Sequence, residues 1–129
     1  MRRPRLTLLI ALAALTSLAL APVAHGAPFA VAKPKWKSPS ITTVVTAPAA
    51  GVLSQNGAIA NDEGRTIQVC ITSGDAAAAG PVTLTCTMDK STLRALRKGS
   101  VRITLTTIFS AADGTSKFKV QKITLPQAR

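Results

Sequence analysis

Residues 81–87 read PVTLTCT, and apolar side chains alternate with threonines along this stretch. The apolar members are Val82, Leu84 and Cys86, and the threonines are Thr83, Thr85 and Thr87. A period of two places each set on its own face of a β-strand. The apolar face then packs on a core while the threonine face meets water, which is typical of an antiparallel sheet. The stretch therefore predicts an all-β fold.

Other strands are predicted upstream of this one. Residues 41–46, ITTVVT, are rich in β-branched side chains, which suit a pleated surface. Residues 52–60 are weakly patterned and predict a poor or edge strand. Residues 65–72 alternate again, and we expect one face of this strand to meet the core. That face carries Ile67, Val69 and Ile71.

The last third of the chain predicts a hairpin. Residues 100–109 form its first strand, and the apolar side chains of one parity are Val101, Ile103, Leu105 and Phe109. Asp113-Gly114 marks the turn. In the returning strand, residues 117–125, the apolar phase slips, because Phe118 and Val120 share one parity whereas Ile123 and Leu125 share the other. Either a β-bulge near Gln121-Lys122 restores a single face, or the two pairs cover different faces.

One short helix is predicted at about residues 90–98. Asp89 can cap its start, and Gly99 can end it. Leu93 and Leu96 share a face and are expected to dock on the sheets. The outward basic residues suit the C-terminal end of the helix dipole. They are Arg94, Arg97 and Lys98, which either contact an anionic polymer or form a solvated helix end.

Residues 1–26 have the three parts of a secretory signal peptide. Three arginines lie within the first five residues, an apolar run spans residues 6–20, and Ala24 and Gly26 precede an expected cleavage before Ala27. We expect this signal peptide helix to be removed on export, which predicts a secreted or envelope-associated protein. An uncleaved anchor is the alternative, although the run is shorter than the roughly 20 residues of a spanning helix.

Cleavage leaves 129 − 26 = 103 residues, enough for one domain. Removing three of the 16 basic residues leaves 13, against five acidic residues, a formal charge of +8. This charge favours anionic partners such as wall polymers or lipid headgroups, or it only keeps an exported protein soluble. We expect no specific nucleic-acid partner and no transmembrane segment after cleavage. The oligomeric state stays open.

The composition argues against an enzyme. The only histidine, His25, leaves with the signal peptide, so neither a histidine-based nucleophile site nor an imidazole zinc site can be built. The five acidic residues lie mostly at turn or cap positions, and no phosphate-binding glycine loop is present. We therefore expect no catalytic, metal or cofactor site.

Residues 27–40 are predicted to be a Pro/Lys-rich flexible leader before a domain at residues 41–129. The leader centres on Lys33, Lys35, Trp36 and Lys37. These side chains suit contact with an anionic surface through charge and an aromatic ring. The alternative is a disordered tether whose tryptophan packs on the edge of the domain.

Cys70 and Cys86 are the only cysteines, and export predicts that they form a disulfide. Closing this loop is worth about 3 kcal/mol in the chain-entropy model. Strand parity opposes the pairing. The face of Ile67, Val69 and Ile71 is expected to share a core with Cys86, and Cys70 lies on the opposite face of the same strand. The bridge therefore needs a bulge or a loop that lets the strands diverge.

The combination of residues 80–86, 91–99, 101–109 and 112–114 resembles an Ig-like β-sandwich module of secreted and cell-surface proteins from high-GC actinobacteria. In such modules a short L-x-x-L-x-x-G helix precedes a Thr-rich hairpin with a Gly-containing tip. The resemblance implies an Ig-like antiparallel sandwich of about 6–7 strands with one short helix. It implies roles in spacing or adhesion, and it carries no site residues over to this chain.

These features together predict an exported, non-catalytic Ig-like module that has a structural or binding role at the cell envelope. The alternative is a small-ligand-binding or inhibitor-type protein that uses a loop at residues 73–80. Ligand pockets usually contain more aromatic side chains than the four of this chain, which argues against that alternative.

Overall fold

The computed structural model describes residues 28–129, and the expected signal peptide lies outside the described residues. Within these described residues, eight strands and one helix follow one another. They are β1 (Ala30–Val31), β2 (Lys35–Lys37), β3 (Ser40–Ala47), β4 (Gly51–Ala60), β5 (Thr66–Ala76), β6 (Gly80–Thr87), α1 (Lys90–Leu96), β7 (Val101–Ala111) and β8 (Ser116–Leu125).

The strands form two antiparallel sheets, which confirms the predicted all-β sandwich with one short helix. In the first sheet, β6 pairs with one side of β3, and β1 and β2 pair in succession with the other side. The second sheet has the order β5-β4-β7-β8. The alternation of residues 81–87 is confirmed, since Leu84 and Cys86 are buried whereas Thr83, Thr85 and Thr87 are exposed.

The core between the sheets consists of two apolar clusters. One contains Ile41, Val69, Cys70, Cys86, Met88, Leu96, Ile103, Leu105 and Leu125. The other contains Val31, Val45, Ala47, Leu53, Ala76, Leu84 and Phe109. A buried polar layer separates them at Thr43, Gln55 and Thr107, where Gln55 Nε2 donates to Thr107 Oγ1 at 3.0 Å. This hydrogen bond satisfies the amide nitrogen of Gln55 and the hydroxyl of Thr107, which would otherwise be costly to bury, whereas Gln55 Oε1 and Thr43 Oγ1 have no partner among the described residues.

The predicted disulfide is present, with 5.5 Å between the Cα atoms of Cys70 and Cys86. Cys70 lies in β5 of the second sheet and Cys86 in β6 of the first, so the bridge joins the two sheets. The register of β5 against β4 slips between Gly57 and Ala58, and Val69 is the extra residue of this bulge. Both Val69 and Cys70 are therefore buried, which resolves the parity conflict.

The bulge also corrects the predicted inner face of β5. Val69 is buried as expected, but Ile67 and Ile71 are exposed. Beyond the bulge, Cys70 takes the inward position and Ile71 faces solvent.

β4 is a central strand rather than the predicted poor or edge strand, since it lies between β5 and β7. Its inward positions include Gln55 and Gly57, so the apolar alternation is weak. Gly57 is required by packing, because a Cβ at this position would lie 2.7 Å from Cys70 Sγ.

The prediction of a flexible leader at residues 27–40 is also corrected, because β1 and β2 lie within this range and belong to the first sheet. Val31 is buried, Trp36 packs against the core, and the ring of Phe29 lies 6.3 Å from that of Phe109. The prolines lie outside β1 and β2, so they divide the edge into two short strands without excluding it from the sheet.

The helix α1 ends at Leu96, slightly before the predicted end. Its N-cap is confirmed, since Asp89 Oδ1 accepts a hydrogen bond from the Thr92 amide at 2.8 Å. Leu96 is buried, and Leu93 packs against the same cluster. The Leu96 carbonyl also accepts from the Ala128 amide, which fastens the C-terminal segment to the helix.

The hairpin of β7 and β8 has an unbroken register from Val101↔Leu125 to Ser110↔Ser116. The second alternative for the phase slip is therefore confirmed. Ile123 and Leu125 face the core, whereas Phe118 and Val120 face outward.

Candidate functional site

One side of the sandwich is closed where the N-terminal edge of the first sheet meets β8 of the second. Gln121 Nε2 on β8 donates to the carbonyl oxygen of Ala32, between β1 and β2, at 3.1 Å. Trp36 on β2 and Ile123 on β8 line one groove and pack on the same core cluster. Residues far apart in the sequence thus form one continuous surface.

This side carries a set of exposed lysines that we call the lysine edge. Its members are Lys33, Lys35, Lys37, Lys117, Lys119 and Lys122. No aspartate or glutamate precedes Asp62 or follows Asp113 in the chain, so the segments that form this edge contain no acidic side chain. Within residues 28–129 the only salt bridge joins Arg65 to Glu63, at 3.7 Å. The edge is therefore a concentration of positive charge that the described part of the protein does not neutralise.

A groove of about 350 Å³ lies within the lysine edge. It is lined by Lys33, Pro34, Trp36, Lys122, Ile123 and Thr124. The half-buried indole of Trp36 and the side chain of Ile123 supply an apolar surface, and two ammonium groups supply charge. This combination suits an anionic group attached to an apolar or ring-shaped body.

The predicted anionic contact residues fall into separate places. Lys33 and Trp36 meet at the groove, while Lys35 and Lys37 pair in register with Thr42 and Ser40 at the edge of the first sheet.

The basic residues of the helix lie elsewhere. Arg94 and Arg97 line a separate depression of about 450 Å³ with Lys90 and Leu93, and Lys98 is exposed beyond α1. The structure therefore does not join the predicted helix residues to the Trp36 groove.

Sequence reasoning missed the three lysines of β8. The pattern Lys117-Phe118-Lys119-Val120 contained a signal, because it alternates cations with exposed apolar side chains in an acid-free segment. Only the contact of β8 with the segment between β1 and β2, at Gln121 and Ala32, brings this strand close to Lys33.

The loop proposed for small-ligand binding is much shorter than predicted. Residues 73–76 belong to β5 and Gly80 to β6, so only residues 77–79 connect the strands. Gly74 faces the interior, where a Cβ would lie 3.1 Å from Leu84 Cδ2. The segment 73–80 is therefore mostly sheet, with a connection of three residues between its strands.

The acidic residues are dispersed over the molecule. Among residues 28–129, no three His, Cys, Asp or Glu side chains lie together as metal ligands would. Asp113 lies in the turn between β7 and β8. Its pKa is lowered mainly by a hydrogen bond from the Thr115 backbone and secondly by one from the Thr115 side chain. Both hydrogen bonds favour the charged carboxylate and serve the turn.

In the described range no helix has the length and apolar character needed to cross a membrane. Comparisons of the chain with protein-family models, curated proteins and solved structures find no match.

Proposed function

We propose that this protein is an exported, non-catalytic Ig-like module that binds anionic surfaces of the cell envelope through the lysine edge. One observation carries the proposal: six exposed lysines lie on or between the edge strands β1, β2 and β8, which meet at the Gln121–Ala32 hydrogen bond, and these segments contain no acidic side chain. A surface of one sign attracts polyanions and raises their local concentration. The expected signal peptide supports export, and the sheets give the lysines a rigid frame.

The groove at Trp36 adds specificity to this charge. Lys33 lies between β1 and β2 and Lys122 lies on β8, yet they line the same groove with the indole. A single anionic group that enters the groove would contact both cations and the ring. The basic residues Arg94, Arg97 and Lys98 add long-range attraction from a separate surface.

The test measures binding of the mature protein to immobilised sodium polyphosphate over a salt series. Exposed charges act over about 8 Å at physiological salt and about 3 Å at 1 M, so binding should fall steeply as salt rises. Exposed ion pairs contribute about 0.2–1 kcal/mol each, so the triple variant K33Q/K35Q/K37Q should bind at least about threefold more weakly.

The matched control R94Q/R97Q/K98Q removes the same charge from the helix. Binding of this control to polyphosphate should fall less than that of K33Q/K35Q/K37Q. Equal losses in the two variants would show that net charge, rather than the lysine edge, attracts the polymer. Binding that persists at 1 M salt would contradict the electrostatic mechanism.

A further inference from the structure

An exposed apolar patch lies beside the lysine edge on the outer face of the second sheet. Its members and their exposed fractions are Val52 (50%), Ile108 (37%), Phe118 (70%) and Val120 (49%). Ile108 lies directly opposite Phe118 in the register of β7 and β8, and Val120 follows Phe118 by two residues on the same face. Val52 pairs with Ser110 and so lies diagonal to Ile108. These side chains are neighbours on one sheet face. We call this set the outer patch.

The outer patch follows directly from the slip in phase along β8. The C-terminal half of β8 turns Ile123 and Leu125 inward, whereas its N-terminal half turns Phe118 and Val120 outward without a bulge. An aromatic ring exposed to this extent contributes nothing to the core. Contiguous exposed apolar side chains on a small protein mark an interaction surface.

Cations border the patch along the edge strand β8. Lys122 follows Val120 on the same outer face, while Lys117 and Lys119 flank Phe118 along the strand with the opposite parity. These three residues belong to the lysine edge, so the two surfaces are continuous through β8. Two acidic residues lie close to the patch in the sheet. Asp75 on β5 pairs with Val52, and Asp113 lies in the turn between β7 and β8.

This arrangement decides between the possible occupants. A second copy stacked on the same patch would bring two sets of β8 lysines together, and like charges would oppose the contact. A soluble polyanion would engage the lysines but leave Phe118 in water. A bilayer with anionic headgroups satisfies both parts, since ammonium groups meet headgroups while apolar side chains enter the boundary with the acyl chains.

We propose that the outer patch and the lysine edge together dock this protein on anionic lipid bilayers, with Phe118 as the principal inserted side chain. The proposal rests on the proposed function for the anionic character of the partner, and it assigns that partner as lipid. Charge brings the protein to the surface, and burial of the apolar side chains then retains it.

The first experiment measures sedimentation of the mature protein with phosphatidylcholine vesicles, with and without phosphatidylglycerol. We expect binding only when phosphatidylglycerol is present. Phe118→Ser should weaken that binding at least about fivefold, because the inserted ring supplies the apolar burial. Its affinity for sodium polyphosphate should stay unchanged. Val44→Ser is the matched control, since Val44 is an exposed valine on the outer face of the first sheet, and it should leave vesicle binding unchanged.

A second experiment detects insertion directly. Trp36 is the only tryptophan, so Trp36→Phe combined with Phe118→Trp places a single fluorophore in the outer patch. Its emission should shift to shorter wavelength with phosphatidylglycerol vesicles and stay unchanged with polyphosphate. The Phe118→Ser thermal melt should match that of the parent protein, because the ring is exposed.

The outcomes separate the two proposals. Polyphosphate binding together with vesicle binding that is insensitive to Phe118→Ser would overturn lipid docking and leave the proposed function intact. Concentration-dependent dimerisation that Phe118→Ser abolishes, without vesicle binding, would assign the patch to a second copy instead. Loss of binding to both vesicles and polyphosphate in the parent protein would overturn both proposals, and the β8 lysines would then only protect a free sheet edge.

Discussion

Val69 is the single residue that allows the two sheets to be joined covalently. In a regular register Val69 would pair with Gly57, and Cys70 would take the outward position of β5 with its sulfur pointing away from Cys86. The bulge turns Cys70 inward, opposite Gly57 in β4. Gly57 leaves space for the sulfur, so the disulfide depends on a bulge in one strand and a missing side chain in the next.

Gly57→Ala should therefore destabilise the protein by about 1–3 kcal/mol, because the new methyl group overpacks against a sulfur that the disulfide holds in place. Chemical denaturation measures the change. Gly99→Ala is the matched control, since a Cβ at Gly99 meets nothing within 4 Å. In the background C70A/C86A, the cost of Gly57→Ala should largely disappear. An equal cost in both backgrounds would show that the sulfur does not set the requirement for glycine.

Asp113 predicts a pH dependence at the tip of the β7–β8 hairpin. Its Oδ1 accepts from the Thr115 amide at 2.8 Å, and the lowered pKa means that the folded state prefers the carboxylate. The stabilisation is therefore present above the unfolded-state pKa and is lost as pH falls through the lowered folded-state pKa. An NMR titration should place the carboxyl midpoint below the ordinary aspartate value, and the stability difference from Asp113→Asn should shrink in acid. A midpoint at or above the ordinary value would contradict this role.

Among the strands, those with regular apolar alternation can be predicted from the sequence. Strands whose inward positions are polar or glycine, or that contain a bulge, cannot. The inner faces of β6 and β7 follow their patterns, because their side chains pack directly between the sheets. The central position of β4 is not evident from its sequence, because two of its inward positions are not large apolar residues. Gln55 forms a buried hydrogen bond, and Gly57 leaves space for the Cys70 sulfur. The bulge of β5 depends on its partner strand, so a local pattern could not place it.

The helix α1 closes one end of the sandwich by burying Leu96 against Ile103, Leu125 and their neighbours. Leu96→Ala should cost about 2–5 kcal/mol, because it removes a fully buried side chain and leaves a cavity. A denaturant melt measures this cost. Ala95→Gly is a useful comparison, since it weakens the helix itself by only about 1 kcal/mol without creating a cavity. A change below about 0.5 kcal/mol for Leu96→Ala would show that the helix is peripheral.

At the scale of the whole molecule, the candidate site is created by closure of the sandwich. The sequence identified the Lys33–Lys37 segment as a basic and aromatic surface. It could not join this segment to Lys122, because residues 28–37 and 117–125 meet only when both sheets have formed. The same closure explains why residues expected to be a leader are structured: β1 and β2 complete an edge that would otherwise expose Val45 and Phe109.

This closure predicts that the N-terminal segment contributes to stability through its apolar side chains and to binding through its lysines. Val31→Ala should lower the free energy of unfolding by about 1–3 kcal/mol, because Val31 is buried in the cluster with Val45 and Phe109. For a domain of this size, that loss lowers the melting temperature by about 4–8 °C per kcal/mol. Val44→Ala, which shortens an exposed valine, should change stability by less than about 0.5 kcal/mol. K33Q/K35Q/K37Q should melt like the parent protein, since its three lysines are exposed. An unchanged melt for Val31→Ala would mean that the segment is a tether in solution, and the lysine edge would then lack the rigid frame on which its selectivity depends.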